Sequence, residues 1–374
     1  MVYLDNAATT KNKPEEVYDA FDFYVRNIGV SPGRGSYQLG IESSRMLYKT
    51  RKKVSSFFGN SNSNVIFTKN STEAINLFLN GFLKHGDHVI LSCYEHNAVL
   101  RPLANLKEKG IVDYSVITRE DMLLSNEDLY KKYTKPNTKL FISTLASNLT
   151  GRIVFDSSRF NYMRRHNIKT FLDSSQGASK IRVNMEEDGI DFLAFTGHKD
   201  LLALPGVGGL VSKDKLEFSP LLQGGTGVLG DQYVNPKVYP EAYEAGTINM
   251  PSIWSLNAAI DWIEKNEKML LKNERSLTLY LLEKLSSIKK VQIYDMEYNR
   301  VGVIGFNIIG FSSSDIVKIL DENGICARGG IHCAILAHEA LGTVSTGVVR
   351  ISLGWNNTKQ DIDDLIEVLE RRIN

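Results

Sequence analysis

A carboxylate and a lysine stand at the ends of two apolar runs, where they could do chemistry together. Asp173 ends the run KTFLD, and Lys199 follows the run DFLAFT after Thr196-Gly197-His198. A carboxylate at the end of a buried strand is costly unless a cation pairs with it, and a protonated ring nitrogen would serve. A lysine in such a place loses its proton more readily than a solvated one and can then form a Schiff base. Taken alone, Gly-His-Lys indicates no more than a surface loop.

A helix start after the run VIFT supplies hydroxyl groups. Asn70 as N-cap with Glu73 as the third helical residue fits a capping box, and Ser71 and Thr72 place hydroxyls beside free backbone N–H groups. Such a helix start can hold a phosphate, although a plain cap is the commoner use of the pattern. A carboxylate, a lysine and a phosphate site are together the groups that pyridoxal phosphate needs for its ring nitrogen, its aldehyde and its phosphate.

Two further side chains follow strand-like runs. His96 comes after HVILSC, where an imidazole could stack on a flat heteroaromatic ligand or move a proton, or be an incidental hydrogen-bonding residue. Asn148 follows KLFISTL and precedes Thr150-Gly151, where it could reach a ligand or simply form the turn.

Cys333 stands in GGIHCAILAH, next to His332 and five residues before His338. The other cysteines, Cys93 and Cys326, lie in apolar strand-like runs and are predicted to be core residues. Three cysteines are too few and too odd in number for a disulfide framework. One thiol with two histidines gives no recognisable zinc spacing, so no metal site is predicted. For Cys333, a nucleophile and an inert buried thiol both remain open.

The elements that must position these residues follow a regular pattern. From about residue 40, apolar runs of strand length alternate with amphipathic stretches of helix length, which predicts a mostly parallel sheet covered by helices on both faces. In such sheets ligands bind beyond the carboxyl ends of the strands. After Pro251 come two helical stretches (252–265 and 273–288), two strand-like runs and a last helix (360–373), which predicts a smaller α+β domain.

Composition excludes some classes of partner. The 374 residues include 44 Lys and Arg against 43 Asp and Glu, a net charge of +1. This charge produces no overall electrostatic field that would attract nucleic acid or an anionic membrane. The start, MVYLDNAATT, lacks the basic and apolar regions of a secretion signal, and no apolar stretch approaches the roughly 18 residues of a membrane helix. We therefore expect a cytoplasmic protein that binds neither nucleic acid nor membrane.

Seven short stretches, in order along the chain, carry a family resemblance: YLDNAATT, NSTEAINL, EHNAVLRPL, LDSSQGA, FTGHK, YEAGTINM, and HCA with an arginine-bearing strand after it. Over nearly its full length the chain resembles class V aminotransferase-type, fold-type I pyridoxal-phosphate enzymes, and among them the NifS/SufS-like cysteine desulfurases. The resemblance implies an α/β fold. Its large domain (14–251) would have a mostly parallel seven-stranded sheet between helices, and its small α+β domain would combine residues 1–13 and 252–374.

The resemblance also implies roles for the residues at the cofactor. Lys199 would form the Schiff base, Asp173 would pair with the pyridinium nitrogen, and Gln176 would contact the ring hydroxyl. His96 resembles the histidine that stacks on the ring. The residues that resemble phosphate ligands are Ser71, Thr72, Thr196, His198 and, from the neighbouring subunit of a homodimer with shared active sites, Thr247.

For the substrate, the resemblance implies that Asn148 and Arg350 hold the carboxylate of L-cysteine. Arg328 resembles an active-site arginine, and Cys333 the cysteine that takes the sulfur as a persulfide while L-alanine is released. A cationic Arg328 or His332 would favour the thiolate of Cys333. The short HCA loop resembles the branch of the family that tends to need a sulfur-acceptor protein.

The chain departs from the family pattern at two places, both expected near the pocket. Ala203-Leu204 replaces a Gly-Pro pair, and Ser36-Tyr37 stands where relatives tend to carry a histidine. Other activities therefore remain open. A selenocysteine lyase or a C–S β-lyase would use the same cofactor residues, and the β-lyase would release pyruvate and ammonia without Cys333. A non-catalytic binding or regulatory homologue is the remaining alternative, against which the intact cofactor residues argue.

Overall fold

The predicted alternation of strands and helices is present in the computed structural model, which describes residues 1–33, 35–62 and 64–373. The strands are β1 (Val2–Tyr3), β2 (Val65–Thr68), β3 (Asp87–Ser92), β4 (Val112–Ile117), β5 (Thr138–Thr144), β6 (Lys169–Asp173), β7 (Phe192–Thr196), β8 (Gly208–Ser212), β9 (Val291–Ile293), β10 (Val303–Ile308), β11 (Ile325–Cys326), β12 (Arg328–Gly330) and β13 (Val348–Ser352). The α-helices are α1 (Glu15–Phe23), α2 (Gln38–Phe57), α3 (Ser71–Phe82), α4 (Asn97–Glu108), α5 (Asn126–Tyr133), α6 (Ser157–Arg165), α7 (Met250–Ser287), α8 (Ser313–Glu322), α9 (Ile335–Leu341) and α10 (Lys359–Ile373).

The main sheet has seven strands in the order β2-β8-β7-β6-β5-β3-β4. Strand β8 is antiparallel to both of its neighbours, and all other neighbouring pairs are parallel. The prediction of a mostly parallel seven-stranded sheet is confirmed. Successive side chains of a strand point to opposite faces, and Phe141 and Ile142 of β5 accordingly lie in different apolar cores. One core includes residues of α2 and α7, and the other residues of α3 and α4, so both faces of the sheet are covered.

A second, antiparallel sheet has the order β12-β13-β10-β9. Its apolar core includes residues of α7, α8 and α10. The N-terminal strand β1 pairs with β11 rather than with the main sheet. The division into domains at residues 13 and 251 stays a prediction.

Helix α7 differs from the prediction. The two helical stretches expected after Pro251 form one helix of 38 residues. The linking residues, 266–272, contain neither Gly nor Pro, and most of them are good helix formers. The helix changes partners along its length, because Ile260 packs in a core of the main sheet and Leu281 in that of the second sheet. No described helix has the length and apolar character needed to cross a bilayer.

Candidate active site

A cavity of about 260 Å³ lies beyond the carboxyl ends of the parallel strands. Nine of the predicted site residues line it: Ser71, Thr72, His96, Asn148, Asp173, Gln176, Thr196, His198 and Lys199. A larger cavity of about 570 Å³ shares only Asn70 and His198 with it and contains Thr247 in its wall. The smaller cavity is the candidate active site because it brings the carboxylate, the lysine and the helix start together.

Asp173 is the last residue of β6 and is 2% exposed. Its Oδ1 accepts hydrogen bonds from the Ser175 backbone N (3.0 Å) and the Ser175 hydroxyl (2.5 Å). Burial raises the pKa of Asp173, while the Ser175 hydrogen bonds and the Lys199 charge act in the opposite direction. No ion pair to Asp173 is found among the described residues. A cationic ligand atom would therefore stabilise this carboxylate.

Lys199 lies in the turn after β7, and its backbone carbonyl accepts a hydrogen bond from the Thr10 hydroxyl at 3.0 Å. Burial lowers the pKa of the Lys199 amine. The Asp173 carboxylate opposes this shift, and the Arg350 guanidinium adds to it. The amine is therefore easier to deprotonate than that of a solvated lysine.

Hydroxyl groups meet at the start of α3. Ser71, the first residue of the helix, is buried, and its hydroxyl forms a hydrogen bond with the Ser175 hydroxyl at 2.8 Å. Thr72 is exposed, and the buried Thr196 Oγ1 has no hydrogen-bond partner among the described groups. Because a helix N-terminus favours anions, an anionic oxygen here would satisfy Thr196. On the other wall, burial lowers the pKa of His198 to about 4, so its imidazole is neutral near pH 7.

The predicted capping box at α3 is only half formed. The Asn70 side chain accepts from the Glu73 backbone N (3.0 Å), as predicted. The Glu73 carboxylate, however, accepts from the backbone N of Lys69 (2.7 Å), one residue before the N-cap. Asn70 has φ −170° and ψ 174°. In this extended conformation the Asn70 side-chain oxygen faces the first turn of the helix. The Glu73 carboxylate bonds to the backbone N of Lys69 instead of that of Asn70.

His96 is the N-cap of α4, and its Nδ1 accepts a hydrogen bond from the Ala98 backbone N at 3.0 Å. A backbone N–H can only donate, so the proton of the neutral ring is on Nε2. Burial, with the Lys199 and Arg328 charges, lowers the pKa of His96 to about 4. Near pH 7 His96 is therefore a neutral Nε2–H donor.

The turn that carries Cys333 is attached to the carboxyl edge of the main sheet. The Cys333 carbonyl accepts from the Asn97 backbone N (2.7 Å), next to His96, and the His332 carbonyl accepts from Asn148 Nδ2 (2.8 Å). His332 and Cys333 both have positive φ, 52° and 55°. Two consecutive non-glycine residues in this region cost energy, so these hydrogen bonds hold a strained turn in place.

The three cysteines differ in exposure. Cys333 is part-exposed, whereas Cys93 is 3% exposed, and burial raises the pKa of Cys93 to about 12. Cys93 is the core residue that the sequence predicts. The prediction that Cys326 is a core residue is wrong. Cys326 is only part-buried, because β11 is a two-residue strand at the edge of a two-stranded sheet. An inert, fully buried Cys333 is excluded by its exposure.

The prediction that a cationic His332 activates Cys333 is wrong. His332 is 3% exposed, its Nε2 donates to the Val348 carbonyl at 2.8 Å, and burial lowers its pKa to about 3. Its ring is therefore neutral near pH 7. Arg328, which is part-exposed in β12, remains as the predicted cation.

The two predicted site arginines are neighbours. Arg328 in β12 lies directly opposite Arg350 in the antiparallel strand β13. Arg350 is 1% exposed and therefore belongs to the buried part of this strand. Its Nη2 pairs with Asp5 Oδ1 (2.5 Å), and its Nη1 donates to the Asn148 carbonyl (3.0 Å). Asn148 and Arg350, the two residues predicted to hold the substrate carboxylate, are thus in contact with each other.

Four predicted site residues, Cys333, Arg328, Arg350 and Thr247, do not line the cavity of a single chain, and neither do the departures from the family pattern. Thr247 is exposed and lines the larger cavity instead. The departures from the family pattern, Ser36-Tyr37 and Ala203-Leu204, were expected near the pocket, but none of the four lines it. Tyr37 is 54% exposed and Ala203 is fully buried. Within one chain these substitutions leave the cavity wall unchanged.

The sequence did not point to three residues of the site. Ser175 hydrogen-bonds to both Asp173 and Ser71, and only its place two residues after a strand-end aspartate hints at this role. Glu95 is fully buried beside His96, and Asp5 pairs with an arginine 345 residues later in the chain. Nothing in the sequence around Glu95 or Asp5 indicates these contacts, which depend on the fold.

Comparison with known proteins gives consistent results. The family model described as aminotransferase class-V matches residues 2–365. A probable cysteine desulfurase of Methanothermobacter thermautotrophicus is 34% identical over 99% of this chain and 94% of its own length. A probable cysteine desulfurase of Borreliella burgdorferi is 30% identical over 100% of this chain and 92% of its own length.

Solved structures of cysteine desulfurases have the same fold. The apo structure of the enzyme from Thermococcus onnurineus has a TM-score of 0.90 at 29% identity, covering 100% of this chain and 94% of the other. The Escherichia coli cysteine desulfurase CsdA, in an S-sulfonic acid form, has a TM-score of 0.87 at 27% identity, covering 99% of this chain and 94% of the other. Class-V aminotransferases and cysteine desulfurases are in general pyridoxal-phosphate-dependent.

Proposed function

Because the chain belongs to the class-V aminotransferase family, we propose that it is a pyridoxal-phosphate-dependent cysteine desulfurase. The reaction is L-cysteine plus an enzyme thiol giving L-alanine plus an enzyme persulfide, in which one sulfur atom moves and nothing else is consumed. The observation that carries the proposal is the attachment of the Cys333 turn to Asn97 and Asn148 at the cavity. The backbone of the Cys333 turn is thereby held by Asn148, which lines the cavity together with Lys199 and Asp173, and the Cys333 side chain is part-exposed.

The residues of the cavity fit pyridoxal phosphate. The buried Asp173 forms no ion pair with any described residue, which suits a protonated ring nitrogen. The unpaired Thr196 Oγ1, with the hydroxyls and free amides at the start of α3, suits a phosphate. In this proposal the cofactor is held by Ser71, Thr72, His96, Asp173, Gln176, Thr196, His198 and Lys199. When bound, the cofactor supplies an electron sink that acidifies the Cα proton of an amino acid.

The chain's own groups then carry out proton transfer. The Lys199 amine, with its pKa lowered by burial, takes the Cα proton and later returns a proton to form the alanine product. His96 carries its proton on Nε2 and therefore acts first as a donor at that nitrogen, not as a base. Asp173 keeps its negative charge against the ring nitrogen.

Sulfur transfer is the step that belongs to Cys333. Its thiolate attacks the substrate sulfur, an S–S bond forms, and the electron pair of the breaking C–S bond returns to the substrate carbon. Of the two cations considered for this thiol, His332 is neutral near pH 7, because burial lowers its pKa to about 3. Arg350 and Asn148 fix the substrate carboxylate, and Asn148 also holds the turn of Cys333.

The proposal includes a homodimer with shared active sites. Thr247 belongs to an irregular segment, 213–249, that exposes several large apolar side chains: Leu221, Leu222, Leu229, Tyr233, Val234 and Val238. Apolar surface of this kind is typical of an interface between subunits. Thr247 of one subunit would complete the phosphate site of the other. A sulfur-acceptor protein would take the persulfide sulfur from Cys333.

A selenocysteine lyase and a C–S β-lyase remain alternatives, and product analysis separates the β-lyase from a desulfurase. The purified protein, a Lys199→Ala variant and a Cys333→Ser variant are incubated with L-cysteine, and alanine and pyruvate are quantified. The proposal predicts alanine from the wild type alone, while the Cys333→Ser variant still binds the cofactor. Pyruvate from both the wild type and Cys333→Ser would replace the desulfurase with a lyase. Alanine formation from selenocysteine but not from cysteine would indicate a selenocysteine lyase.

A further inference from the structure

The residue after Lys199 is a carboxylate that the proposed mechanism does not use. Asp200 is 7% exposed. Its Oδ2 accepts a hydrogen bond from the Gly177 backbone N, and its Oδ1 lies 3.1 Å from Lys180 Nζ. Its backbone carbonyl accepts from the Ser179 hydroxyl at 2.7 Å. The loop 177–180 therefore fixes both ends of Asp200.

Lys180 connects this turn to the other half of the molecule. Its Nζ also lies 3.3 Å from Glu274 Oε2 on α7. The other oxygen of Glu274 accepts from the Gly302 backbone N at 2.5 Å, just before β10 of the second sheet. The side chains of Lys180, Asp200 and Glu274 are 15%, 8% and 18% exposed. One largely buried ammonium is thus shared by two carboxylates from different parts of the fold.

We propose that Lys180 is a positioning residue for Lys199, because it holds the Asp200 carboxylate away from the Lys199 amine and ties the Lys199 turn to helix α7. This inference rests on the proposed role of Lys199 as the residue that binds the cofactor. The Asp200 charge already acts on the Lys199 amine, so a carboxylate that is no longer held by Lys180 would act on this amine more strongly.

Several charged residues interact with Lys199 and with Asp200. Lys199 interacts with two carboxylates and two guanidiniums: Asp173, Asp200, Arg328 and Arg350. Asp200 interacts with Lys13, Lys180 and Glu274. Lys180 is the only one of these cations that forms an ion pair with Asp200 among the described residues. Removing its charge would leave Asp200 and Glu274 as two buried like charges, with Lys199 and Lys13 as the remaining cations near Asp200.

The rate at which the apoprotein captures the cofactor aldehyde depends directly on the protonation of Lys199. The Lys199 ammonium must first lose its proton to solvent; its amine then forms a C=N bond to the aldehyde, and water leaves. Only the unprotonated fraction of Lys199 reacts. At pH values where the amine is mostly protonated, a rise of one unit in its pKa lowers the reactive fraction and the capture rate about tenfold.

The test measures capture of pyridoxal phosphate by apoprotein, followed by visible absorbance as a function of pH. The variants are Lys180→Met, Lys180→Arg and the double variant Lys180→Met with Asp200→Asn. We expect Lys180→Met to move the pH profile of capture upward by about one unit and to slow capture about tenfold at pH values where the amine is mostly protonated. We expect Lys180→Arg to behave as the wild type. The double variant, which lacks the released charge, should return toward the wild-type profile.

A merely structural role gives a different pattern. If Lys180 only stabilises the fold, Lys180→Met and the double variant will be slowed alike, with no shift in the pH profile, and the inference is wrong. Lys180→Gln, which keeps a hydrogen-bond donor but not the charge, makes the same test if Lys180→Met does not fold. If the Lys199→Ala variant captures pyridoxal phosphate as fast as the wild type, the proposed role of Lys199 is wrong. This outcome is distinct from a failure of the role proposed for Lys180.

Discussion

Glu95 offers a quantitative test of the buried environment behind the active site. It is fully buried, and its Oε1 accepts hydrogen bonds from the Ser92 hydroxyl (2.5 Å) and the Thr144 backbone N (2.7 Å). Its Oε2 is buried and has no hydrogen-bond partner in the part of the chain that the structure describes. Burial raises the pKa of Glu95 from 4.5 to about 8, and the Asp173 charge adds to this effect. We therefore predict that Glu95 is a neutral acid in the folded protein at pH 7.

The consequence for stability follows from proton linkage. The folded-state pKa is raised, so the contribution of Glu95 is fully present below pH 4.5 and is lost as the pH rises to about 8. The free energy of unfolding falls over this range by about 1.4 kcal/mol per pH unit, or about 3 kcal/mol between pH 5 and pH 7. Glu95→Gln preserves the shape and an acceptor oxygen but has no proton to lose.

The assay is urea unfolding of the wild type and Glu95→Gln apoproteins at several pH values between 5 and 8. We expect the variant to gain about 3 kcal/mol relative to the wild type between pH 5 and pH 7. Glu108→Gln, at an exposed position at the end of α4, is the matched control and should show no such trend. A difference between wild type and Glu95→Gln that does not change with pH would refute the reasoning.

Three further predictions concern the cysteines and the buried arginines. Iodoacetamide at pH 8 should modify Cys333 and leave Cys93 intact in the folded protein, as peptide mass spectrometry would show, because Cys93 is buried and its pKa is raised to about 12. Arg51→Met should lower the free energy of unfolding by about 3–5 kcal/mol in urea titration, since it leaves the buried Glu244 without its bidentate partner at 2.7 and 2.8 Å. Arg350→Lys should raise KM for L-cysteine about 10-fold or more with a smaller change in kcat, because the fork geometry is lost; an unchanged KM would remove Arg350 from the substrate site.

The strand ends were predictable from sequence because burial there leaves a periodic signal. The runs VIFT and KTFLD coincide with β2 and β6, and the residues that follow the parallel strands do meet in one cavity. Strand β4 leaves a weaker signal in the sequence, since it lies at the edge of the sheet and most of its residues are only part-buried.

Features that depend on long-range contacts were not predictable. His332 is neutral because the Val348 carbonyl and the surrounding core bury it, and nothing in GGIHCA indicates that burial. The sequence indicates two helices where α7 is one, because the apolar residues of α7 pack in one core in its first half and in another core in its second half. The pairing of Lys180 with both Asp200 and Glu274 joins residues 20 and 94 positions apart, beyond the reach of any local pattern.

The most direct test of the central claim is to find where the sulfur goes. The cofactor-loaded protein is treated with a few equivalents of L-cysteine, alkylated at once and digested, and the mass of the Cys333 peptide is measured alongside the alanine released. The account predicts one additional sulfur atom on Cys333, none on Cys93 or Cys326, and one alanine for each sulfur. Alanine without added sulfur on Cys333, or sulfur on another cysteine, would contradict it.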